Sequence, residues 1–162
     1  TCVPFSLATP AVAAAAGALA RFVEENKVRQ THGAVVLGGK KVADFQTVQK
    51  RVGEASARID ACLTLARRDV AEAEAEAVAE GKTTVETRLR NRRTQSFIAQ
   101  DAMAAMNLIF DAVGGRGLQR DHPTQRAWRD VAAINHHISL NFDAVMSMYG
   151  QHMFGLPPEG QF

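Results

Sequence analysis

Residues 111–143 read DAVGGRGLQRDHPTQRAWRDVAAINHHISLNFD, and this stretch decides both the fold and the place of a candidate site. A helical pattern ends at Gly114 and Gly115, and a proline after a polar turn opens a second helical pattern. Two successive glycines allow positive φ and let another molecule approach the backbone amides closely. The second helix would carry His137 and Asn141 at i, i+4 spacing, so an imidazole and a carboxamide would share one face.

A purely structural interpretation of the same residues is also open. Two glycines after a helix commonly form a C-cap. A histidine such as His137 on a half-apolar helix face is commonly a hydrogen-bonded core or interface residue. Spacing alone therefore does not separate a site from a packing feature, and the rest of the chain has to be considered.

Length, charge and cysteine content limit the classes of protein to consider. The chain has 162 residues, of which 46% are hydrophobic, so it can bury one core and is expected to form a single domain. A net charge of +2 with dispersed basic residues argues against a nucleic-acid partner. Cys2 and Cys62 offer no disulfide framework and no metal-ligand spacing, which favours a reducing, cytoplasmic setting. The alanine-rich opening is interrupted by Arg21 and Glu24 and predicts a helix, so no membrane partner is expected.

Apolar residues recur at helical spacing through most of the chain. Pro10 suits the first turn of a helix, and Asp44 suits the cap of the second, which Gly81 ends. Residues 31–44 interrupt the periodicity and predict a connection with a short extended piece at 34–37. The four predicted helices cover about 10–29, 45–80, 85–113 and, without interruption, 123–149.

Four amphipathic helices with little strand signal predict an all-α protein, an antiparallel up-down-up-down four-helix bundle. Aromatic residues make up only 6% of the chain, so we expect the bundle to gain packing from neighbouring copies.

Two segments carry a family resemblance that extends over essentially the whole chain. KKVADFQTVQKRVGEASARI at 40–59, followed by DAVGGRGLQRDHPTQRAWRD at 111–130, resembles the C-terminal helical domain of the acyl-CoA dehydrogenase superfamily. In that family the subunit also has an N-terminal helical domain and a middle β-domain, and it packs as a homotetramer, a dimer of dimers. The resemblance implies that residues 1–162 are the C-terminal domain of a larger flavoenzyme subunit.

The resemblance also implies residues that bind flavin. Phe45 and Gln46 match the pair in the family's second bundle helix that touches the flavin of a neighbouring subunit. Gly114 and Gly115 match the glycine pair against which the distal part of the flavin rests. Glycines suit this role because they let backbone amides reach a pyrophosphate or ribose.

Two departures from the family pattern change the expected chemistry. After an arginine-aspartate pair, here Arg129 and Asp130, common acyl-CoA dehydrogenases carry a catalytic glutamate, and Ile138 stands at that position. Isoleucine cannot abstract a proton α to a thioester. Val35 stands where the family has a flavin-contacting arginine, which argues against an ordinary, tightly held FAD.

In place of the glutamate, RDVAAINHHISLNFD at 129–143 resembles the oxygenase components of two-component flavin-dependent monooxygenases. That branch shows H-x-x-x-N-x-D after the arginine-aspartate pair, matched here by His137, Asn141 and Asp143. The resemblance implies reduced flavin (FMN or FAD) as cofactor, a separate NAD(P)H-dependent flavin reductase as partner, and hydroxylation of a small aromatic, phenolic substrate with O2.

Within that chemistry, His137 is the predicted catalytic residue, as base for the phenol or as hydrogen-bond partner of its oxygen. Removing the proton of a phenol, whose pKa is about 10, raises the electron density of the ring, and imidazole suits that task at neutral pH. Asn141 would orient His137 or extend a hydrogen-bond network, or else form a helix-helix contact. His136 would point about 100° away, toward the surface or a subunit contact.

Two other functions stay open at this point. One is an FAD-dependent acyl-CoA dehydrogenase with its base elsewhere. The other is an oligomerisation bundle whose active site lies in other domains.

The third predicted helix carries a group of arginines that could bind the phosphate of a flavin or of CoA, or a nucleic acid. Because they spread around the helix, we interpret them mainly as ion-pair partners of the glutamate-rich end of the second helix. They are Arg88, Arg90, Arg92 and Arg93.

Overall fold

The computed structural model describes residues 3–33 and 36–162, and side chains of residues 5–31 and 39–162. Its helices and strands follow in chain order as α1 Val3–Asn26, β1 Gln30–Gly33, β2 Val36–Lys41, α2 Gln46–Glu80, α3 Val85–Val113, α4 Pro123–Asn135 and α5 Phe142–Met153. Three short 3-10 turns connect them at Val42–Asp44, Gly114–Leu118 and Ile138–Leu140. The predicted all-α four-helix bundle is confirmed, with the fourth helix divided into α4 and α5.

The start of α1 differs from the prediction. Pro10 does not open the helix, which already begins at Val3 and holds Pro10 inside it. A proline inside a helix removes one backbone hydrogen bond. The preceding turn is helical nonetheless, because Phe5 and Ala8 are buried in the core at 5% and 0% exposure. Tertiary packing therefore outweighs the local preference of proline.

By length and composition α1 is also apolar enough, from Phe5 to Asn26, to cross a membrane. In the bundle it packs against α2, α3 and α4 and buries Ala11, Val12 and Phe22.

The predicted connection between the first two helices contains a small antiparallel hairpin. β1 pairs with β2 in a register that joins Gln30 to Lys41 and Thr31 to Lys40. The predicted extended piece at 34–37 agrees in part, since Val36 and Leu37 belong to β2, whereas Ala34 and Val35 lie outside the described residues.

The long helices α2 and α3 end largely as predicted. Gly81 caps α2 at φ 71°, and Gly114 follows α3 at φ 70°. Asp44, however, does not cap α2, because it ends a 3-10 turn and Phe45 occupies the N-cap position without a side-chain bond. The Val42 side chain at 7% exposure anchors this turn on the core, and the helix starts one residue later than predicted.

The prediction of one uninterrupted fourth helix is wrong. The chain leaves α-helical geometry at His137, which has φ −67° and ψ 134°, passes through the 3-10 turn at Ile138–Leu140 and resumes the α-helix only at Phe142. A continuous helix would have buried Ile138, but Ile138 is 86% exposed and Leu140 is 1% exposed. The Ser96 hydroxyl donates a hydrogen bond of 2.9 Å to the carbonyl oxygen of Leu140 and so secures the turn on α3.

The arginines of α3 have more varied partners than predicted. Arg90 forms ion pairs with Asp69 and Glu72 on α2, as expected. The interpretation is wrong for the other three, which contact backbone or the C-terminal part of the chain because α5 and the following residues return along α3. Arg88 lies 5.5 Å from the Phe162 ring, Arg93 lies 4.4 Å from the Tyr149 ring, and Arg92 donates to the carbonyl oxygen of Gln161.

Candidate functional site

The interruption of the fourth helix opens a polar cleft of about 340 Å³ on the surface of the bundle. The cleft lies where the end of α4, the turn at Ile138–Leu140 and the start of α5 meet the middle of α3. It is lined by Gln100, Asn135, His136, His137, Ile138, Asn141, Phe142 and Asp143. Both predicted catalytic residues, His137 and Asn141, therefore line one cleft, although they do not share a helix face.

His137 is held by its own backbone. Its Nδ1 accepts a hydrogen bond of 3.2 Å from the amide of Ser139, and the ring is exposed. Because an amide N–H can only donate, Nδ1 carries no proton in this arrangement. In the neutral ring the proton then resides on Nε2, so this nitrogen is a hydrogen-bond donor.

His136 lines the same cleft, which sequence reasoning missed. Its Nδ1 lies 2.8 Å from the carbonyl oxygen of Ala132, one turn back in α4. The prediction that it points about 100° away from His137 assumed helical geometry at both residues, and that geometry ends here. The adjacent pair of histidines was visible in the sequence, but only the break of the helix brings both rings to one cleft.

Asn141 serves first as the N-cap of α5. Its Oδ1 accepts a hydrogen bond of 3.1 Å from the amide of Ala144. On the opposite wall, Asn135 Nδ2 donates to Gln100 Oε1 at 3.1 Å, which joins the end of α4 to α3. Gln100 was not predicted as a site residue, since its distance in sequence from the cleft gave no signal.

The predicted glycine pair lies at the end of the bundle where α3 stops. Gly114 has φ 70°, so the fold itself requires glycine there. Gly115 has no such φ, is exposed, and a Cβ on it would meet nothing within 4 Å. The fold would therefore accept a side chain at Gly115. The flavin contact expected for the glycine pair therefore stays a prediction.

Two arginines near this end were missed by sequence reasoning. Burial and the nearby charge of Arg116 lower the pKa of the half-buried Arg29 guanidinium. Arg116 follows the glycine pair directly, whereas Arg29 precedes the hairpin, so only the fold brings the two charges together. The nearby Glu25 carboxylate acts in the opposite direction and raises this pKa, so the chain itself supplies an anion that partly offsets the repulsion.

Phe45 and Gln46 also lie at this end, at the start of α2. Phe45 is half-buried, with the Lys40 ammonium 4.8 Å from its ring centroid, and Gln46 is exposed. Their backbone is fixed by the hairpin, because the amide of Val42 donates to the carbonyl oxygen of Arg29 at 2.9 Å. The predicted flavin residues and the arginine pair form what we call the flavin patch: Arg29, Phe45, Gln46, Gly114, Gly115 and Arg116.

The flavin patch and the cleft that His136 and His137 line are separated along the bundle. Gly114 follows the last residue of α3, and Gln100 in the cleft wall lies earlier in the same helix. An α-helix rises about 1.5 Å per residue, so the two residues are about 20 Å apart. The structure therefore keeps the predicted cofactor residues and the predicted catalytic residues in two places on one copy of the chain.

The fold is an all-α bundle with a polar surface cleft, a class that includes the C-terminal domains of flavoenzymes. The chain belongs to the family described as acyl-CoA dehydrogenase, C-terminal domain, whose pattern matches residues 5–142.

Individual relatives carry more specific names. The FADH(2)-dependent resorcinol hydroxylase, oxygenase component, from Rhizobium sp. (strain MTP-10005) is 46% identical over 100% of this chain and 41% of its own length. The flavin-dependent monooxygenase, oxygenase subunit HsaA, from Mycobacterium tuberculosis is 31% identical over 96% of this chain and 39% of its own length. The crystal structure of the 3-HSA hydroxylase from Rhodococcus sp. RHA1 superposes with a TM-score of 0.84 at 31% identity, covering 97% of this chain and 38% of that one. The chain thus spans about two fifths of the length of these relatives.

Proposed function

We propose that this chain is the C-terminal helical domain of a longer, cytoplasmic oxygenase component of a two-component flavin-dependent monooxygenase, which hydroxylates a small phenolic substrate. The observation that carries the proposal is the cleft in which His136 and His137 lie exposed beside Ile138. The names of the relatives, a resorcinol hydroxylase and a 3-HSA hydroxylase among them, support the substrate class.

The residues of the cleft suit an acidic hydroxyl better than a carbon acid. The family resemblance places Ile138 at the position of the catalytic glutamate of acyl-CoA dehydrogenases, and its exposed side chain offers an apolar surface but no base. His137 presents Nε2–H, which would donate to the oxygen of a phenolate. Asn141 would hold His137 in place indirectly, since it caps the helix that follows the turn.

The flavin patch would hold reduced flavin, FMN or FAD, which supplies the electrons that activate O2. Gly114 and Gly115 would let it lie against the backbone, and Arg29 and Arg116 would neutralise its phosphate. Phe45 and Gln46 would contact it from the start of α2. A separate NAD(P)H-dependent reductase would deliver it, as the words oxygenase component in the relatives' names imply for those proteins.

We further propose that the protein assembles as a homotetramer, a dimer of dimers. The separation of about 20 Å between the flavin patch and the cleft supports association of copies, because one complete site can then combine the patch of one copy with the cleft of another. Sedimentation equilibrium of the full-length protein should give the mass of four subunits, and a monomer would contradict the proposal.

Activity is tested by supplying the full-length protein with NADH, a flavin reductase and a panel of phenols that includes resorcinol. We expect an oxygenated ring product in amounts that follow NADH consumption. Release of hydrogen peroxide without any oxygenated product would overturn the proposed function.

The two alternative functions, an acyl-CoA dehydrogenase and an oligomerisation bundle, would each give a different result with the same purified protein. A protein that purifies yellow and is bleached by an acyl-CoA would be a dehydrogenase. Unchanged turnover after His137→Ala together with His136→Ala would mean that the chain is only an assembly bundle.

A further inference from the structure

The two adjacent histidines of the cleft hold their protons on opposite ring nitrogens. We propose that His136 accepts the proton of the bound phenol at its Nε2, while His137 donates a hydrogen bond from its Nε2 to the resulting phenolate oxygen. This division of roles rests on the proposed function and adds to it a second catalytic residue.

The assignment for His136 follows from its partner. The carbonyl oxygen of Ala132, 2.8 Å from Nδ1, can only accept a hydrogen bond, so Nδ1 must carry a proton. The neutral ring therefore exposes a lone pair on Nε2. Proton uptake at Nε2 leaves the bond to Ala132 intact, and the cation then lies at the C-terminal end of α4, where the helix dipole favours positive charge.

The assignment for His137 is the reverse. The amide of Ser139 can only donate, so Nδ1 of His137 must keep its lone pair. For His137 to accept a proton at Nε2, the ring would have to place its existing proton on Nδ1 and lose the bond that caps the turn. A doubly protonated ring would lose the same bond. His137 is thus suited to donate, and His136 to accept.

The surroundings of the cleft agree with this division. Its titratable lining residues are the two histidines and Asp143 at the start of α5, and α3 contributes only the uncharged Gln100.

The proton balance is simple. The phenolic O–H bond breaks and its electron pair stays on the oxygen, while an N–H bond forms at Nε2 of His136. The phenolate carries one negative charge and the imidazolium one positive charge, so binding releases no proton to the solvent. When the product leaves, Nε2 of His136 returns the proton to the product oxygen.

Glutamine separates the two roles, since it keeps an N–H donor but cannot take up a proton near neutral pH. The test uses the full-length protein with oxidised flavin, so that no turnover occurs, and 3-nitrophenol as the probe. This phenol is mostly un-ionised in neutral water, and its phenolate absorbs visible light. Absorbance gives the ionised fraction of bound probe, and calorimetry in two buffers gives the number of protons released.

We expect the unmodified protein to bind the probe as phenolate without proton release. His136→Gln should bind it un-ionised, or ionised with one proton released to the buffer. His137→Gln should keep the phenolate signal, whereas His137→Ala should weaken phenolate binding about tenfold or more, the loss expected for a hydrogen bond to a charged group. Circular dichroism verifies that each variant is folded.

Three results would overturn the inference. They are phenolate bound by His136→Gln without proton release, loss of the phenolate signal in His137→Gln, or no phenolate bound to the unmodified protein. If the turnover assay still yields hydroxylated phenol in any of these cases, the proposed function stands and only the division of roles fails.

Discussion

The hydroxyl of Ser96 on α3 donates a hydrogen bond of 2.9 Å to the carbonyl oxygen of Leu140, and both residues are fully buried. The two residues lie far apart in sequence, and this bond joins the middle of α3 to the turn that separates α4 from α5. The position of both cleft histidines therefore depends on a contact from another helix.

Ser96→Ala should lower the free energy of unfolding by about 1–3 kcal/mol, because the buried carbonyl oxygen of Leu140 loses its partner. Chemical denaturation measures the change, and phenol turnover should fall with it as the turn loosens. Ser56→Ala on the exposed face of α2 is the matched control and should change neither quantity. Equal effects of the two substitutions would show that the Ser96 bond does not secure the turn.

Asn141→Ala should cost about 1 kcal/mol of stability, because Asn141 Oδ1 caps the amide of Ala144 at the start of α5. Asn141→Ser keeps an oxygen in the cap and should lose only a few tenths of a kcal/mol. Thermal unfolding of the three proteins tests this order. If alanine and serine prove equal at this position, the cap contributes nothing measurable.

Gly115→Ala should leave folding unchanged and weaken flavin binding. A Cβ at this position meets nothing within 4 Å in the chain, so any effect on flavin must come from contact with the ligand itself. Gly114→Ala, by contrast, should destabilise the protein by about 1 kcal/mol, because φ is 70° there. Flavin fluorescence titration and thermal unfolding separate the two effects.

Gly53→Ala within α2 is the control for an added methyl group, since its Cβ also meets nothing and the residue lies outside the flavin patch. Alanine should raise helix stability there and leave flavin affinity as it was. Unaltered flavin binding by Gly115→Ala would remove Gly115 from the cofactor site.

Stability should depend on the charge of Glu76. Hydrogen bonds from Thr87 and Thr84 hold the pKa of the Glu76 carboxyl below its usual range. A carboxyl with a lowered folded-state pKa stabilises the fold above its unfolded-state pKa, and this contribution disappears as the pH falls through the folded-state value. Glu76→Gln should therefore melt below the unmodified protein at neutral pH, and the two melting curves should converge in acid.

Glu74→Gln removes the same charge two residues earlier on the exposed side of α2 and serves as the control for net charge. A similar pH dependence in both variants would assign the effect to overall charge and not to the threonine hydrogen bonds. Differential scanning calorimetry from neutral to acidic pH gives the full comparison.

The sequence by itself determined the elements that depend on near neighbours in the chain. Apolar spacing located the long helices α2 and α3, and Gly81 and Gly114 marked their ends, because helical periodicity and positive φ are local properties. The resemblance carried by the flanking motifs led to the family that the comparison confirmed.

The tertiary structure alone decided where the helix boundaries differ from those that apolar spacing predicts. Pro10 lies inside a helix because Phe5, on its N-terminal side, is buried in the core. The fourth helix is interrupted because Leu140 is buried in the core, whereas Ile138 is exposed. The same break in the helix turned His136 and His137 toward one cleft, and the fold also brings Arg116 near enough to lower the pKa of Arg29. Each outcome depends on which side chain from a distant segment fills a given space, and periodicity along the chain does not contain that information.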